Sequence, residues 1–266
     1  MGLEKGFKKL KSFFMSKSIR LILGDQLNIQ HSWFKEVDDS VTYLMMEMRQ
    51  ETDYVPHHIQ KVVAFFLSMR TFSKALEKAG HRVLYFTLDH SENKQNLSDQ
   101  LDDLIAKENF ERFEYQLPDE YRLDEILSGI CEKLSIPTQA FDTEHFLTSR
   151  EYLKDFFKGK KTYLMETFYR EMRRKYDILM DGKDPLTGQW NYDHDNRGAL
   201  KDKKLLKKAL IRPKEVSALV ELLEKSGVKT IGTIDAENFP WPVSREESLE
   251  ILDYFCENLL QNFGLY

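Results

Sequence analysis

Short apolar stretches alternate with helical patterns along the first half of the chain, and this alternation limits the possible folds more than any other feature. Stretches of strand length are predicted at 18–23, 41–46, 82–88, 112–116 and 138–141. Between them, apolar residues recur at helical spacing over 57–79, 97–106 and 119–134. Such alternation is typical of a parallel sheet with right-handed crossovers. We therefore predict an α/β domain over residues 17–145, a Rossmann-like five-stranded parallel sheet with helices on both faces.

The alternation stops near residue 143, which indicates a change of architecture. Helical patterns follow at 149–157, 164–180 and 214–225, and a loop containing glycine and proline is predicted over 181–200. Ser244 and Glu247 match a capping box that opens a last helix, reaching residue 260. We therefore divide the chain into an N-terminal extension, the α/β domain, a helical and loop interdomain linker, and the start of a helical domain, at 1–16, 17–145, 146–243 and 244–266.

Composition excludes several classes of protein. Hydrophobic residues make up 41% and charged residues 31%, which is ordinary for a globular domain. The cysteines, Cys131 and Cys256, cannot form a disulfide framework or a cysteine-only metal cluster, which needs about four thiolates. They favour a reducing, cytoplasmic setting. No apolar run approaches the roughly 18 residues of a membrane span, so no membrane partner is expected.

Polar residues follow the first two predicted strands, at the edge of the sheet where such folds bind ligands. Gly24 and Asp25 come after the first strand, and Glu47, Glu51 and Tyr54 after the second. Their carboxylates and phenol could hydrogen-bond a polar heteroaromatic ring. The alternatives are a tight turn at Asp25 and a solvated helix N-terminus, where acidic residues are favoured anyway. Neither a G-x-G-x-x-G nor a Walker A pattern is present, so a dinucleotide or triphosphate cradle is not supported.

Two other sets of residues invite a functional interpretation. His57 and His58 are adjacent, and neighbouring helical residues point about 100° apart, so a structural or capping role is favoured over metal binding. Arg170, Arg173 and Arg174 follow i, i+3, i+4 spacing and form one basic helix face. That face is either simply solvated or contacts the phosphates of DNA or another domain.

Five segments together resemble the deoxyribodipyrimidine photolyase-related family, in the bacterial cryptochrome and (6-4) photolyase branch. The similarity covers nearly all of the chain from residue 18 and follows the order of the family's N-terminal half. METFYREMRRK and WNYDHDNR are its most specific motifs. The matching segments are LILGDQL (21–27), YVPHHIQKVVAFFLSMR (54–70), METFYREMRRKYDILMDG (165–182), GQWNYDHDNR (188–197) and NFG (262–264).

The resemblance implies an antenna chromophore in the α/β domain, 6,7-dimethyl-8-ribityllumazine or a similar ring. It carries the binding site onto Gly24, Asp25, Glu47, Glu51 and Tyr54. Met46 stands where a relative can carry cysteine, so the lining differs.

The family's FAD and [4Fe–4S] cluster lie in a helical domain further along, and we expect neither in this chain. We therefore expect a truncated protein that does not repair DNA by itself and contacts DNA only in the full-length context. Without the missing domain, apolar residues of the last helix would be uncovered and would favour dimers: Leu249, Leu252, Phe255 and Leu259.

Two alternatives remain open. One is a non-catalytic Rossmann-like binding or interaction module that complements a separately encoded FAD-binding partner. The other is a complete enzyme acting on an unrelated small molecule. The second is less supported, because motif spacing assembles no nucleophile–base pair or metal set.

Overall fold

The computed structural model describes residues 16–194 and 207–260. Its strands are β1 (Ser18–Leu21), β2 (Val41–Met46), β3 (His57–His58), β4 (Arg82–Phe86), β5 (Arg112–Gln116), β6 (Thr138–Phe141), β7 (Met180–Asp181), β8 (Asp184–Pro185) and β9 (Thr230–Ile231). Its α-helices are α1 (Arg49–Asp53), α2 (Ile59–Lys78), α3 (Leu97–Glu108), α4 (Tyr121–Cys131), α5 (Arg150–Phe157), α6 (Met165–Lys175), α7 (Ser217–Lys225) and α8 (Arg245–Asn258). None of the helices in these ranges is both long and apolar enough to cross a membrane.

Five strands form the predicted parallel sheet, in the order β4-β2-β1-β5-β6. In the register of the central strands, Ile19 lies opposite Thr42 on one side and Phe113 on the other. The first and third predicted strands end two residues early, and two residues beyond each strand a backbone amide bonds to a side chain instead of a neighbouring strand. The Leu23 amide donates to Gln26 and the Leu88 amide donates to Glu47.

The core lies on both faces of this sheet, which confirms the predicted covered architecture. On one face, Ile22, Tyr43 and Met45 pack with Val63 and Phe66 of α2. The other face packs against α3 and α4, through Ile19, Leu21, Leu44, Leu101 and Leu127. Burial on two faces explains why β2, which has a neighbouring strand on each side, is a nearly continuous apolar run.

The long helix α2 ends within one residue of its prediction but begins two residues later, because His57 and His58 form β3, which pairs with β9. The Gln60 amide donates to the His58 ring at 3.2 Å, which gives His58 the capping role. Gly80 follows the helix with a φ of +96°. The His81 amide donates to the Leu76 carbonyl at 3.0 Å, the bond that closes a Schellman turn. Helix α2 is therefore fixed at both ends beside the sheet.

The chain divides into two compact units. The first contains the described residues up to 143 together with 211–248, and the second contains the described parts of 144–210 and 249–266. Part of the predicted linker thus belongs to the first unit, where it packs into the same cluster as α2 through Val216, Leu219, Leu223 and Phe239. Burial of these side chains explains the return, because they would otherwise leave an apolar face of the sheet domain in water.

The second unit is helical, with one short hairpin. Ser149 caps α5, and β7 pairs with β8. The helix predicted over 164–180 ends at Lys175, because the chain then turns so that Ile178 and Leu179 present their carbonyls to Arg173. Of the loop predicted over 181–200, residues from 195 lie outside the described residues, as do the family motif at 262–264 and most of the N-terminal extension.

Ser244 caps the last helix as predicted, while the Glu247 side chain reaches back one residue further than a capping box requires, to Val243. The Glu247 amide donates to the Ser244 hydroxyl at 3.2 Å, and the Glu247 carboxylate accepts from the Val243 amide at 2.8 Å. Leu249, Leu252 and Phe255 are exposed on α8. Dimer formation through them stays a prediction.

Candidate functional site

A cavity of about 220 Å³ opens at the carboxyl edge of the sheet, within the first unit. Gly24 and Asp25 after β1, and Glu51 and Tyr54 after β2, all line it. The structure thus brings these four predicted residues together, although up to 30 positions separate them in sequence. Parallel strands explain the convergence, since their carboxyl ends meet at one edge.

The cavity wall is mostly apolar, and α2 supplies four of its eleven apolar residues. Phe65 and Tyr54 line the cavity and are also partly exposed, so their rings lie where it meets solvent. Thioethers of three methionines add a polarisable, adaptable surface. The apolar lining comprises Leu21, Ile22, Leu23, Met46, Met48, Val62, Phe65, Phe66, Met69, Leu97 and Leu123.

Gly24 allows α2 to lie close to the end of β1. A Cβ at this position would lie 3.0 Å from the Phe65 ring and 3.1 Å from the Met69 sulfur. Both contacts are tighter than ordinary van der Waals packing. The glycine is therefore required by close approach rather than by an unusual φ.

The turn that carries Asp25 is held by Gln26, whose role the sequence did not reveal. Gln26 is buried, with its Oε1 accepting from the Leu23 amide at 3.0 Å and its Nε2 donating to the Gln116 carbonyl at 3.2 Å. These bonds join the end of β1 to the end of β5. Asp25 is consequently placed at the exposed rim of the cavity.

Glu47, the fifth predicted residue, does not line the cavity. Its side chain is 0% exposed, and its carboxylate accepts from Arg70 at 2.6 and 2.9 Å, from the Tyr85 hydroxyl at 2.7 Å and from the Leu88 amide at 3.0 Å. Burial, and then the charge of Glu47, raise the pKa of Tyr85 above its ordinary range. Glu47 is therefore an internal bridge between β2, α2 and β4.

Arg122 is a component of the site that the sequence did not predict. It donates to Glu51 at 2.7 Å and to Glu120 at 2.7 Å, and its guanidinium lies 3.9 Å from the centre of the Tyr54 ring. The hydrogen bond that Arg122 donates to Glu51 is the largest influence that raises the pKa of Arg122. Arg122 lies in the segment that follows β5. Polar residues after β5 reach the same edge of the sheet as those after β1 and β2, and this is the sequence signal for Arg122.

His57 of β3 and Lys61 in the first turn of α2 complete the surroundings of Tyr54. The His57 ring packs edge-on against Tyr54, with 5.1 Å between ring centres. The Lys61 ammonium lies 3.3 Å from His57 Nδ1. Both residues line the cavity. Within residues 16–194 and 207–260, no group of three or more His, Cys, Asp or Glu side chains is arranged to hold a metal ion.

The three arginines of α6, in the second unit, do not share one solvated face. Arg173 is only 7% exposed and donates to the carbonyls of Ile178, Leu179 and Trp190. Arg173 is therefore not part of the predicted basic surface, because its guanidinium N–H groups bond to backbone carbonyls of the segment that follows α6. Arg170 pairs with Glu166 at 2.9 Å, and Arg174 lies 4.5 Å above the Trp190 ring. Their contact with DNA or another domain stays a prediction.

Comparisons with known proteins agree with the family resemblance that the sequence motifs indicate. Residues 20–239 match the family described as deoxyribodipyrimidine photo-lyase-related protein. The (6-4) photolyase of Agrobacterium fabrum is 31% identical over 251 residues, which cover 92% of this chain and 48% of that protein. Uncharacterized protein R852 of Acanthamoeba polyphaga mimivirus is 23% identical over 196 residues, which cover 70% of this chain and 97% of that protein. The chain thus spans about half the length of the photolyase it matches.

Proposed function

The chain belongs to the deoxyribodipyrimidine photolyase-related family, and from this premise we propose that the cavity of its first unit binds an antenna chromophore. The proposed ligand is a polar fused-ring heterocycle with a hydroxylated tail, such as 6,7-dimethyl-8-ribityllumazine. The observation that supports this proposal is the cavity at the carboxyl edge of the sheet, whose wall is apolar and aromatic and whose lining includes carboxylates.

The size of the cavity favours one small ring system. Small-molecule sites usually measure about 300–1,000 Å³, and this cavity, at about 220 Å³, is smaller. A two- or three-ring heterocycle fits such a space with its tail directed to solvent, whereas a dinucleotide does not. The absence of a glycine-rich phosphate motif from the sequence supports the same choice.

The chemistry of the lining suits the proposed ligand. The rings of Phe65 and Tyr54 offer faces for stacking, which aromatic systems favour in offset or edge-on arrangements. The carboxylates of Glu51, Glu120 and Asp25 accept hydrogen bonds, and so could receive ring N–H groups or tail hydroxyls. A bound antenna chromophore absorbs light and passes the excitation energy to a flavin. In this proposal, the residues of the chain bind and orient the ring and shield it from water.

The proposed role is the antenna-binding portion of a longer light-dependent DNA-repair flavoprotein. FAD, the [4Fe–4S] cluster and lesion repair are assigned, as part of the same proposal, to the half of the photolyase that the alignment does not cover. DNA contact through Arg170 and Arg174 belongs to that full-length context.

Titration of the purified full chain with 6,7-dimethyl-8-ribityllumazine tests the proposal, with riboflavin as a second probe. We expect saturable changes in absorbance and fluorescence and a rise in Tm. Glu51→Ala should weaken binding at least about tenfold, since a charge-assisted hydrogen bond is worth roughly 1.5–3 kcal/mol. Glu108→Ala is the matched control, because Glu108 is exposed and pairs with Lys17 away from the cavity. The proposal would be refuted if neither probe changed the spectra or the Tm.

A second candidate is a stand-alone binding module that complements a separately encoded FAD-binding half. The viral relative favours it, because the match covers 97% of that protein and thus nearly all of its length. Co-expression with the C-terminal half of the matched photolyase tests this candidate. Stable co-purification with bound FAD would support it, and separate elution of the two chains would count against it.

A further inference from the structure

Arg122 joins three parts of the cavity wall through one guanidinium group. Its Nη1 and Nη2 donate to the two oxygens of Glu51 at 3.3 and 2.7 Å. Its Nε and Nη2 donate to the two oxygens of Glu120 at 2.7 and 3.1 Å. The Tyr54 ring lies against the guanidinium at 3.9 Å. Glu51, Glu120 and Tyr54 all line the cavity, whereas Arg122 contacts these three residues without lining it.

This guanidinium connects two separate elements of the fold. Glu51 belongs to α1 and Tyr54 immediately follows that helix, while Glu120 and Arg122 stand at the start of α4. Helix α1 has only five residues and no side-chain cap at its N-terminus. So short a helix is not stable by itself. The positions of Glu51 and Tyr54 consequently depend on tertiary contacts, and Arg122 at the start of α4 supplies one of them.

We propose that Arg122 is a positioning residue for the chromophore, holding the Glu51 carboxylate and the Tyr54 ring in the orientation that the ligand meets. This inference rests on the proposed function of the cavity. Arginine suits the task because its planar fork can bond two carboxylates and stack on a ring together, whereas the compact lysine ammonium cannot. Arg122 acts through Glu51 and Tyr54 and is not itself assigned a contact with the ligand.

The inference is tested on the full chain, with 6,7-dimethyl-8-ribityllumazine as the probe and with Kd and induced circular dichroism as readouts. We expect Arg122→Gln to weaken binding on the order of tenfold. The value is taken by analogy with metal sites, where loss of a residue that hydrogen-bonds to a ligand side chain lowers affinity by about 10–100-fold. The same substitution should also change the dichroism, because the ring and carboxylate orient the chromophore. Arg122→Lys should fall between wild type and Arg122→Gln. The control Arg112→Gln, at the other end of the sheet, should change neither readout.

A double-mutant cycle separates positioning from general support of the fold. If Arg122 acts through Glu51, adding Arg122→Gln to Glu51→Ala should weaken binding by less than about threefold more. Full additivity of the two effects would overturn the inference. The inference would also be overturned if both Arg122 variants kept the affinity and dichroism of a wild type that binds the probe. Failure of wild type to bind any probe would instead overturn the proposed function, and this inference with it. Should Arg122→Gln fail to fold, Arg122→Lys provides the same comparison.

Discussion

Glu47 and Glu51 are both glutamates close to the end of β2, yet the structure predicts different consequences of their loss. Glu47 is completely buried, and four donated hydrogen bonds converge on its carboxylate. The substitution Glu47→Gln keeps the shape of the side chain but removes its charge. We expect a loss of folding stability rather than a direct loss of ligand contact.

The magnitude follows from the environment of the pair. Breaking a buried ion pair by removing one partner costs about 3–5 kcal/mol. Arg70 retains 29% exposure of its side chain, so its guanidinium can gain some water after the change. This exposure favours the lower end, about 3 kcal/mol in the free energy of unfolding. At roughly 2–4 °C per kcal/mol for a chain of this size, Tm should fall by about 6–12 °C.

Urea denaturation followed by circular dichroism measures the change in unfolding free energy, and thermal unfolding supplies the Tm. Glu108→Gln is the matched control, because its pair with Lys17 is exposed and such pairs contribute about 0–1 kcal/mol. A loss below about 1 kcal/mol in Glu47→Gln would refute the assignment of Glu47 as a buried bridge. A large fall in chromophore affinity without any loss of stability would restore Glu47 to the binding site.

Three further predictions concern the cavity, the returning segment and pH. Gly24→Ala should reduce lumazine affinity several-fold and lower Tm modestly, because its Cβ would press on the partly exposed Phe65 ring and the buried Met69 sulfur; an unchanged Kd in the same titration would contradict this. A chain ending at residue 145 should aggregate, whereas one ending at 248 should elute as a folded species on size-exclusion chromatography. The reason is that residues 211–248 cover the core beside α2. Monodisperse elution of the shorter chain would contradict this prediction. Burial, followed by the Glu47 charge, raises the pKa of Tyr85, so the folded state favours the neutral phenol. That contribution to stability is complete below about pH 10, the ordinary tyrosine pKa, and is lost as pH rises beyond it. Tyr85→Phe should therefore show a smaller decrease in Tm between pH 9 and 11 than wild type, in buffers matched for ionic strength, and an equal decrease would contradict the assignment.

The sequence by itself determined the sheet and the family. Strands β2, β5 and β6 begin and end at the predicted residues. For β2 the reason is local, because it is a short, almost wholly apolar run bounded by polar residues. Helix α2 ends just before Gly80 for a local reason too, since glycine readily adopts a positive φ. The family motifs identified the chain correctly, as the match over residues 20–239 confirms.

The carboxyl edge of the sheet was also predictable as the place of a site, because topology brings the ends of parallel strands together. Only the tertiary structure decided which of its residues face the cavity. Glu47 and Glu51 are the same residue type four positions apart, and nothing local reveals that Arg70 takes one and Arg122 the other. The partner of Glu51 lies 71 positions away.

The same limit applies to the returning segment and to the basic helix. The pattern of residues 214–225 predicts an amphipathic helix but not the surface that its apolar face covers, which is the core beside α2. Likewise, the spacing of Arg173 predicts a helix face, whereas its burial results from backbone carbonyls that turn back towards it. Local sequence sets backbone conformation and the face of each side chain, while the pairing of charges and carbonyls depends on which distant segments meet.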